Sequence, residues 1–145
     1  LGAGYTIIQS KIAIGSGGLI GKGWLSGTQN QLNFLPERHT DFIFSVIGEE
    51  WGFLGALALI LLYLLIVKRA LNIAFSTNDM YGRLVAVGVC VMICLQVVIN
   101  IGMAVGLMPV VGIPLPFISY GGSSLIMNFI AIALVINIDM HRTLF

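Results

Sequence analysis

Three long apolar stretches dominate the chain after residue 50: Trp51–Val67, Leu84–Leu107 and Phe117–Ile138. Each approaches the roughly 20 residues that a helix needs to cross about 30 Å of hydrocarbon. The pattern predicts spans over residues 51–69, 84–107 and 117–138. A shorter apolar run, "FIFSVIG" (Phe42–Gly48), precedes the first span across Glu49 and Glu50. Two adjacent carboxylates are expensive at bilayer depth. They are therefore expected at the interface, with Trp51 as an aromatic anchor and Phe42–Gly48 as a short helix lying on or dipping into the membrane surface. Residues 1–41 are polar and glycine-rich, with no long apolar run, and read as a loop outside the membrane.

Composition agrees with lipid as the solvent. Charged residues are 9% and hydrophobic residues 58%, with a mean hydropathy of +1.01; soluble domains carry about 25% charge. So few charges cannot coat a water-facing surface. The fold class is an all-α integral membrane protein. A net charge of +1, with no basic run longer than the pair Lys68–Arg69, gives no reason to expect nucleic acid. Lys68, Arg69 and Arg83 bound the first inter-helix connection, and Arg142 follows the last span. Lys11, Lys22 and Arg38 are spread over a long segment, and 108–116 has no basic residue. The denser side is expected to be cytoplasmic, which puts residues 1–41 and 108–116 outside. The chain opens on Leu1 without a signal segment, so the C-terminal part of a longer protein is expected. Cys90 and Cys94 lie within an apolar run and read as small packing residues rather than a metal or disulfide framework.

Three stretches carry candidate chemistry. The first, "IAIGSGGLIGKGWLSG" (Ile12–Gly27), ends a glycine-rich run in Gly-Lys. A nucleotide P-loop requires G-x-x-x-x-G-K-[ST], but Ser16 stands where the first glycine should be and Gly23 follows Lys22. What remains is either a flexible turn or a loop whose backbone amides face a lipid-borne phosphate. The second, "LPERHTDF" (Leu35–Phe42), gathers Glu37, Arg38, His39 and Asp41 at the foot of a membrane helix. In an extended strand Glu37, His39 and Asp41 point to one side. Thr40 or Asp41 is alternatively placed to cap the helix. In the third, "PLPFISYGGSSLIMNF" (Pro114–Phe129), Tyr120, Ser124 and Asn128 recur at helical spacing. So do Gln96 and Asn100, followed by G-x-x-x-G at Gly102–Gly106. Plain helix packing through small and polar residues accounts for these as readily as a site does.

"QSKIAIGSGGLIGKG", "LPERHTDFIFSVIGEEWG" and "GLMPVVGIPLPFISYGGSS" together closely resemble the SEDS membrane proteins, over essentially the whole chain. The tryptophan of "GEEWG" and the "VVGIPLPF" wording look more like the elongation members than the division members. SEDS proteins cross the membrane about ten times as helices, the form that satisfies its own backbone bonds in lipid. This chain is similar to their last large extracytoplasmic loop plus the final three helices. The resemblance implies a peptidoglycan glycosyltransferase of the bacterial cytoplasmic membrane. It would polymerise lipid II, a disaccharide-peptide on undecaprenyl pyrophosphate, for cell elongation beside a class B penicillin-binding protein. It implies Asp41 as the catalytic residue. Substrate binding falls to Lys22, Glu37, Arg38, His39, Thr40, Ser119, Ser123 and Ser124, and a divalent cation is an open possibility. A helix N-terminus would weaken Asp41 as a base, whereas desolvation and Glu37 would strengthen it. The alternatives are a lipid II flippase and a non-catalytic scaffold for the transpeptidase; the segment alone is not expected to be active.

Overall fold

The computed structural model describes residues 3–26 and 41–141. Among the described residues four helices account for the regular structure: α1 (Ala3–Gly17), α2 (Ile43–Ser76), α3 (Met80–Ala104) and α4 (Gly122–His141). The last three are long and apolar enough to cross a membrane. Large side chains such as Leu61, Leu64, Leu65 and Phe129 stay exposed along them, as suits helices solvated by lipid.

Helices α2 and α3 form the main interface, with α4 against α3 and α1 against the start of α2. One apolar cluster lies toward the α2–α3 connection, where Ala70, Ile73, Val89, Cys90, Ile93, Ala131 and Val135 meet. Another lies toward the opposite end, where Phe44, Ala56 and Ala104 pack with Ile14, Leu59 and Ile101. Both cysteines are free, and Cys90 belongs to the first cluster.

Helix α1 lies inside the stretch expected to be a loop. At 15 residues it is only about 22 Å long, too short to span, and its packing face is small rather than greasy. Ser10, Ala13 and Gly17 are buried on α1, matched by Ser45, Gly48 and Gly52 on α2 at the same three-then-four spacing. Small residues at that spacing let two helices approach closely. The Ser10 hydroxyl bonds that of Ser45 and donates to the Ala104 carbonyl at 2.6 Å, tying three helices together.

The bounds of α2–α4 shift from the apolar pattern for local reasons. Helix α2 takes in Phe44–Gly48 and Trp51 as one element and breaks at Gly52 (φ 69°, ψ −163°). Helix α3 starts early because Asp79 caps it, accepting from the Gly82 amide at 2.9 Å. It ends at Ala104 because Gly106 turns left-handed (φ 81°). There the Leu107 amide donates to the Gly102 carbonyl and the Gly106 amide to that of Met103, a Schellman stop. Gly102 and Gly106 therefore do not share one helix face, although a Cβ on Gly106 would meet the Lys11 side chain of α1 at 2.2 Å. Helix α4 begins only at Gly122, because Phe117–Gly121 remain in turns.

Candidate active site

The break at Gly52 explains the glycine-rich loop. An unbroken helix would direct the Phe53 and Leu54 amides to the Glu49 and Glu50 carbonyls. Instead, Phe53 donates to the Gly18 carbonyl (2.8 Å) and Leu54 to that of Leu19 (3.2 Å). The two released carbonyls accept from the Lys22 and Gly23 amides, each at 3.0 Å. All four freed groups are thus satisfied by one loop. A Cβ on Gly21 (φ 87°) would lie 2.3 Å from the Glu50 carbonyl oxygen, and one on Gly52 would lie 2.4 Å from the Gly21 nitrogen. These glycines exist for backbone contact. The expectation that their amides face a phosphate is overturned: those of Gly21, Lys22 and Gly23 are all donated within the chain.

Glu49 and Glu50, expected at the membrane interface, are buried within the chain. They are 0% and 8% exposed. The Lys22 ammonium lies 3.3 Å from the Glu49 Oε1, which compensates a charge that would otherwise be costly to bury. Trp51 is exposed and meets Trp24 edge to face, ring centroids 5.9 Å apart.

Asp41 stands half-buried immediately ahead of α2. The N-cap position is Phe42 and no side chain caps it, so capping does not account for Asp41. Its main-chain oxygen accepts from Asn100 Nδ2 at 3.1 Å, and the same amide donates to the Ile113 carbonyl at 2.8 Å. Across from the carboxylate lies Gly112 (φ 70°), where a Cβ would come within 3.6 Å of Asp41 Oδ2. Asn100 ties the entry to α2 and the proline-rich turn to one point on α3. Its Oδ1 is buried without a hydrogen-bond partner among the described residues. Without those donors the Asp41 and Ile113 carbonyls would lose this partner, and a buried acceptor left unmet costs about 1–3 kcal/mol.

The turn over 109–121 dips beside α2, reaching Tyr63, roughly three helical turns beyond the Gly52 break. Non-helical backbone at such depth must be satisfied by protein. Pro114 and Pro116 have no amide hydrogen to satisfy. The Leu115 amide donates to Ser119 Oγ at 2.7 Å, the Leu115 carbonyl accepts from the Ser119 amide at 3.1 Å, and the Pro116 carbonyl accepts from the Tyr63 hydroxyl. Phe117 then stacks edge to face on Phe129, with centroids 5.4 Å apart.

Of the sequence-predicted site residues, Asp41 is brought to the Asn100–Gly112 junction. Lys22 lies with Glu49, eight positions along α2 from Asp41, or roughly 12 Å of helix rise. Ser119 is buried and holds the turn, Ser123 is exposed, and Ser124 accepts from Asn128 at 3.4 Å. Tyr120 precedes α4 and is 82% exposed, so it is not on the helical stripe with Ser124 and Asn128. Glu37, Arg38, His39 and Thr40 lie outside the described residues. Among the described residues no three His, Cys, Asp or Glu side chains group as metal ligands. The sequence reading did not single out Tyr63, and it set Asn100 on a polar stripe without deciding between helix packing and a site. A polar residue inside each apolar run, Tyr63 in the first and Asn100 beside Gln96 in the second, was the available signal.

The model of the cell cycle protein family that comprises FtsW, RodA and SpoVE matches residues 1–144. The chain is 57% identical over 142 residues to the peptidoglycan glycosyltransferase MrdB of Escherichia coli K12, covering 98% of this chain and 38% of that one. Its fold is similar to a chain of a peptidoglycan synthase complex solved for the coordination of polymerization and crosslinking. There the TM-score is 0.80 at 37% identity, over 96% of this chain and 37% of that one. It is also similar to crystalline Thermus thermophilus rod shape determining protein RodA, with a TM-score of 0.70 at 43% identity, over 86% and 38% of the two chains. The chain thus spans about two fifths of the length of these relatives.

Proposed function

The chain belongs to the FtsW, RodA and SpoVE family of cell cycle proteins, and from that premise we propose that the protein it forms part of is a peptidoglycan glycosyltransferase with Asp41 as its general base. The substrate is lipid II, and the product is glycan strand for cell elongation. One sugar's 4-hydroxyl attacks the anomeric carbon of another. The new C–O bond forms as the bond to the lipid pyrophosphate breaks, and the hydroxyl proton passes to Asp41. One observation carries this reading. A half-buried carboxylate stands at the end of an apolar bundle, between the entry to α2 and a turn in which a Cβ on Gly112 would lie 3.6 Å from its Oδ2. That is headgroup depth, where a prenyl tail fixes a pyrophosphate.

The leaving group needs positive charge. The ammonium of Lys22 is already engaged by Glu49, which favours Arg38, in the same "PERHTD" run as Asp41, or a divalent cation. Glu37, His39 and Thr40 flank the base in that run, and Ser123 and Ser124 open α4 on the same connection. A class B penicillin-binding protein is the transpeptidase partner, a reading supported by the likeness to a chain of a synthase complex. The Asp41 end faces outward across the bacterial cytoplasmic membrane, with 68–83 and the C-terminus inside, on the distribution of Lys and Arg. Transport is less well supported. Asn100 and Asn128 are buried inside the chain rather than lining a path.

The test is polymerisation of lipid II by the purified full-length protein. Asp41→Asn keeps the shape and removes the basicity, so the rate is expected to fall by roughly 10²-fold or more, with insertion and lipid II binding retained. Near-normal polymerisation by this variant ends the general-base reading. Orientation is checked by labelling from outside, which should reach Ser26→Cys and not Asn78→Cys.

A further inference from the structure

Asn100 is fully buried one turn before the end of α3, and both of its amide hydrogens are committed. They do not go to the neighbouring helices' side chains, as ordinary packing amides would. They go to two main-chain carbonyls, Asp41 and Ile113, 59 and 13 positions away. Those carbonyls belong to the two segments that bound the Asp41 carboxylate: the chain entering α2, and the turn whose Gly112 faces Oδ2. Neither segment is regular helix at that point, so neither fixes its own position. Helix α3 does, and Asn100 transmits that position to both.

Oδ1 has no hydrogen-bond partner among the described residues, so the bonds of this buried amide run through its two donors to the Asp41 and Ile113 carbonyls. What an apolar residue lacks is the pair of donors in one plane.

We propose that Asn100 is a positioning residue for the glycosyl transfer. It sets the distance between the Asp41 carboxylate and the 109–116 turn, so that an acceptor hydroxyl entering over Gly112 meets the base. This rests on Asp41 acting as the base. A displacement of about 1 Å in such a geometry costs on the order of 10²-fold in rate, and the effect falls on kcat because the substrate's other contacts are untouched.

Three variants of the full-length protein test it. Asn100→Leu keeps the volume and removes both donors, Asn100→Asp keeps the outline but turns acceptors on both carbonyls, and Asn100→Gln keeps the donors on a longer stem. Leu and Asp are expected to lower kcat for lipid II polymerisation about 10-fold or more, with KM within about 2-fold. The Leu variant also leaves the Asp41 and Ile113 carbonyls unpartnered and should lower the unfolding midpoint, as Tyr63→Phe should. Rates are therefore compared at a temperature where every variant stays folded, and Gln should recover part of kcat. Unchanged kcat in the Leu variant overturns the proposal, as does a rise in KM alone. So does a Leu variant that fails to fold, because the residue is then structural. Asp41→Asn assayed alongside keeps the two readings apart. If it is near normal, the base assignment fails. If it is inactive while Asn100→Leu is normal, only the positioning role fails.

Discussion

The loop over 17–23 and the turn over 109–119 both lay non-helical backbone against α2, and they satisfy it by opposite means. In the first, glycines remove side chains until two backbones touch, and the bonds run from amide to carbonyl: Lys22 and Gly23 to Glu49 and Glu50, Phe53 and Leu54 to Gly18 and Leu19. In the second, prolines remove amide hydrogens, and what remains is met largely by side chains: Tyr63 on Pro116, Asn100 on Ile113, Ser119 on Leu115. The glycine loop depends on what is absent. The proline turn depends on particular polar atoms, two projecting from distant helices and one from its own Ser119. The first tolerates no added atom, and the second tolerates no lost one.

The sharpest break in that comparison comes from adding one methyl group. Gly21→Ala and Gly52→Ala each place a Cβ within 2.4 Å of backbone at positive φ. With strain of about 1–3 kcal/mol from the dihedral and a similar amount from overpacking, most folded protein should be lost in a thermal melt of the full-length chain. Folded, stable variants would mean that the loop and kink are not locked together.

Removing one oxygen from the other region should act more mildly. Tyr63→Phe leaves the Pro116 carbonyl unpartnered, and Ser119→Ala does the same to the Leu115 amide. Each is expected to destabilise by about 1–3 kcal/mol, read as a lowered unfolding midpoint. Ser119→Ala also bears on the sequence assignment of this residue to substrate. A fall in stability with KM unchanged supports the turn, and a raised KM at unchanged stability supports the ligand.

The smallest effect is expected at Gly15, two positions from a glycine with no room at all. A Cβ on Gly17 would lie 1.9 Å from the Gly48 carbonyl oxygen, whereas one on Gly15 meets nothing within 4 Å. Gly15→Ala should therefore raise stability by roughly 0.5–1 kcal/mol through helix propensity, while Gly17→Ala lowers it. Equal effects at the two positions would show that α1 does not dock through this face.

Hydrophobic periodicity and composition by themselves determined the class and the three spanning helices, because long apolar runs admit one solution in lipid. The family motifs marked Asp41 as the residue to examine. The small-residue face of α1 was also legible in principle, since Ser10, Ala13 and Gly17 share their spacing with Ser45, Gly48 and Gly52. Short helices without an apolar stripe do not announce themselves by periodicity. Only the tertiary structure decided what the glycines and polar residues are for. A glycine needed for close approach looks the same in sequence as one needed for a phosphate, and Gly21 was settled by the carbonyl of Glu50 opposite it. Glu49 reads as a carboxylate facing water until Lys22 is seen beside it. Asn100 reads as helix glue until its two donors are traced to Asp41 and Ile113. Each of these depends on a partner distant along the chain, and a linear pattern carries no distance between such positions.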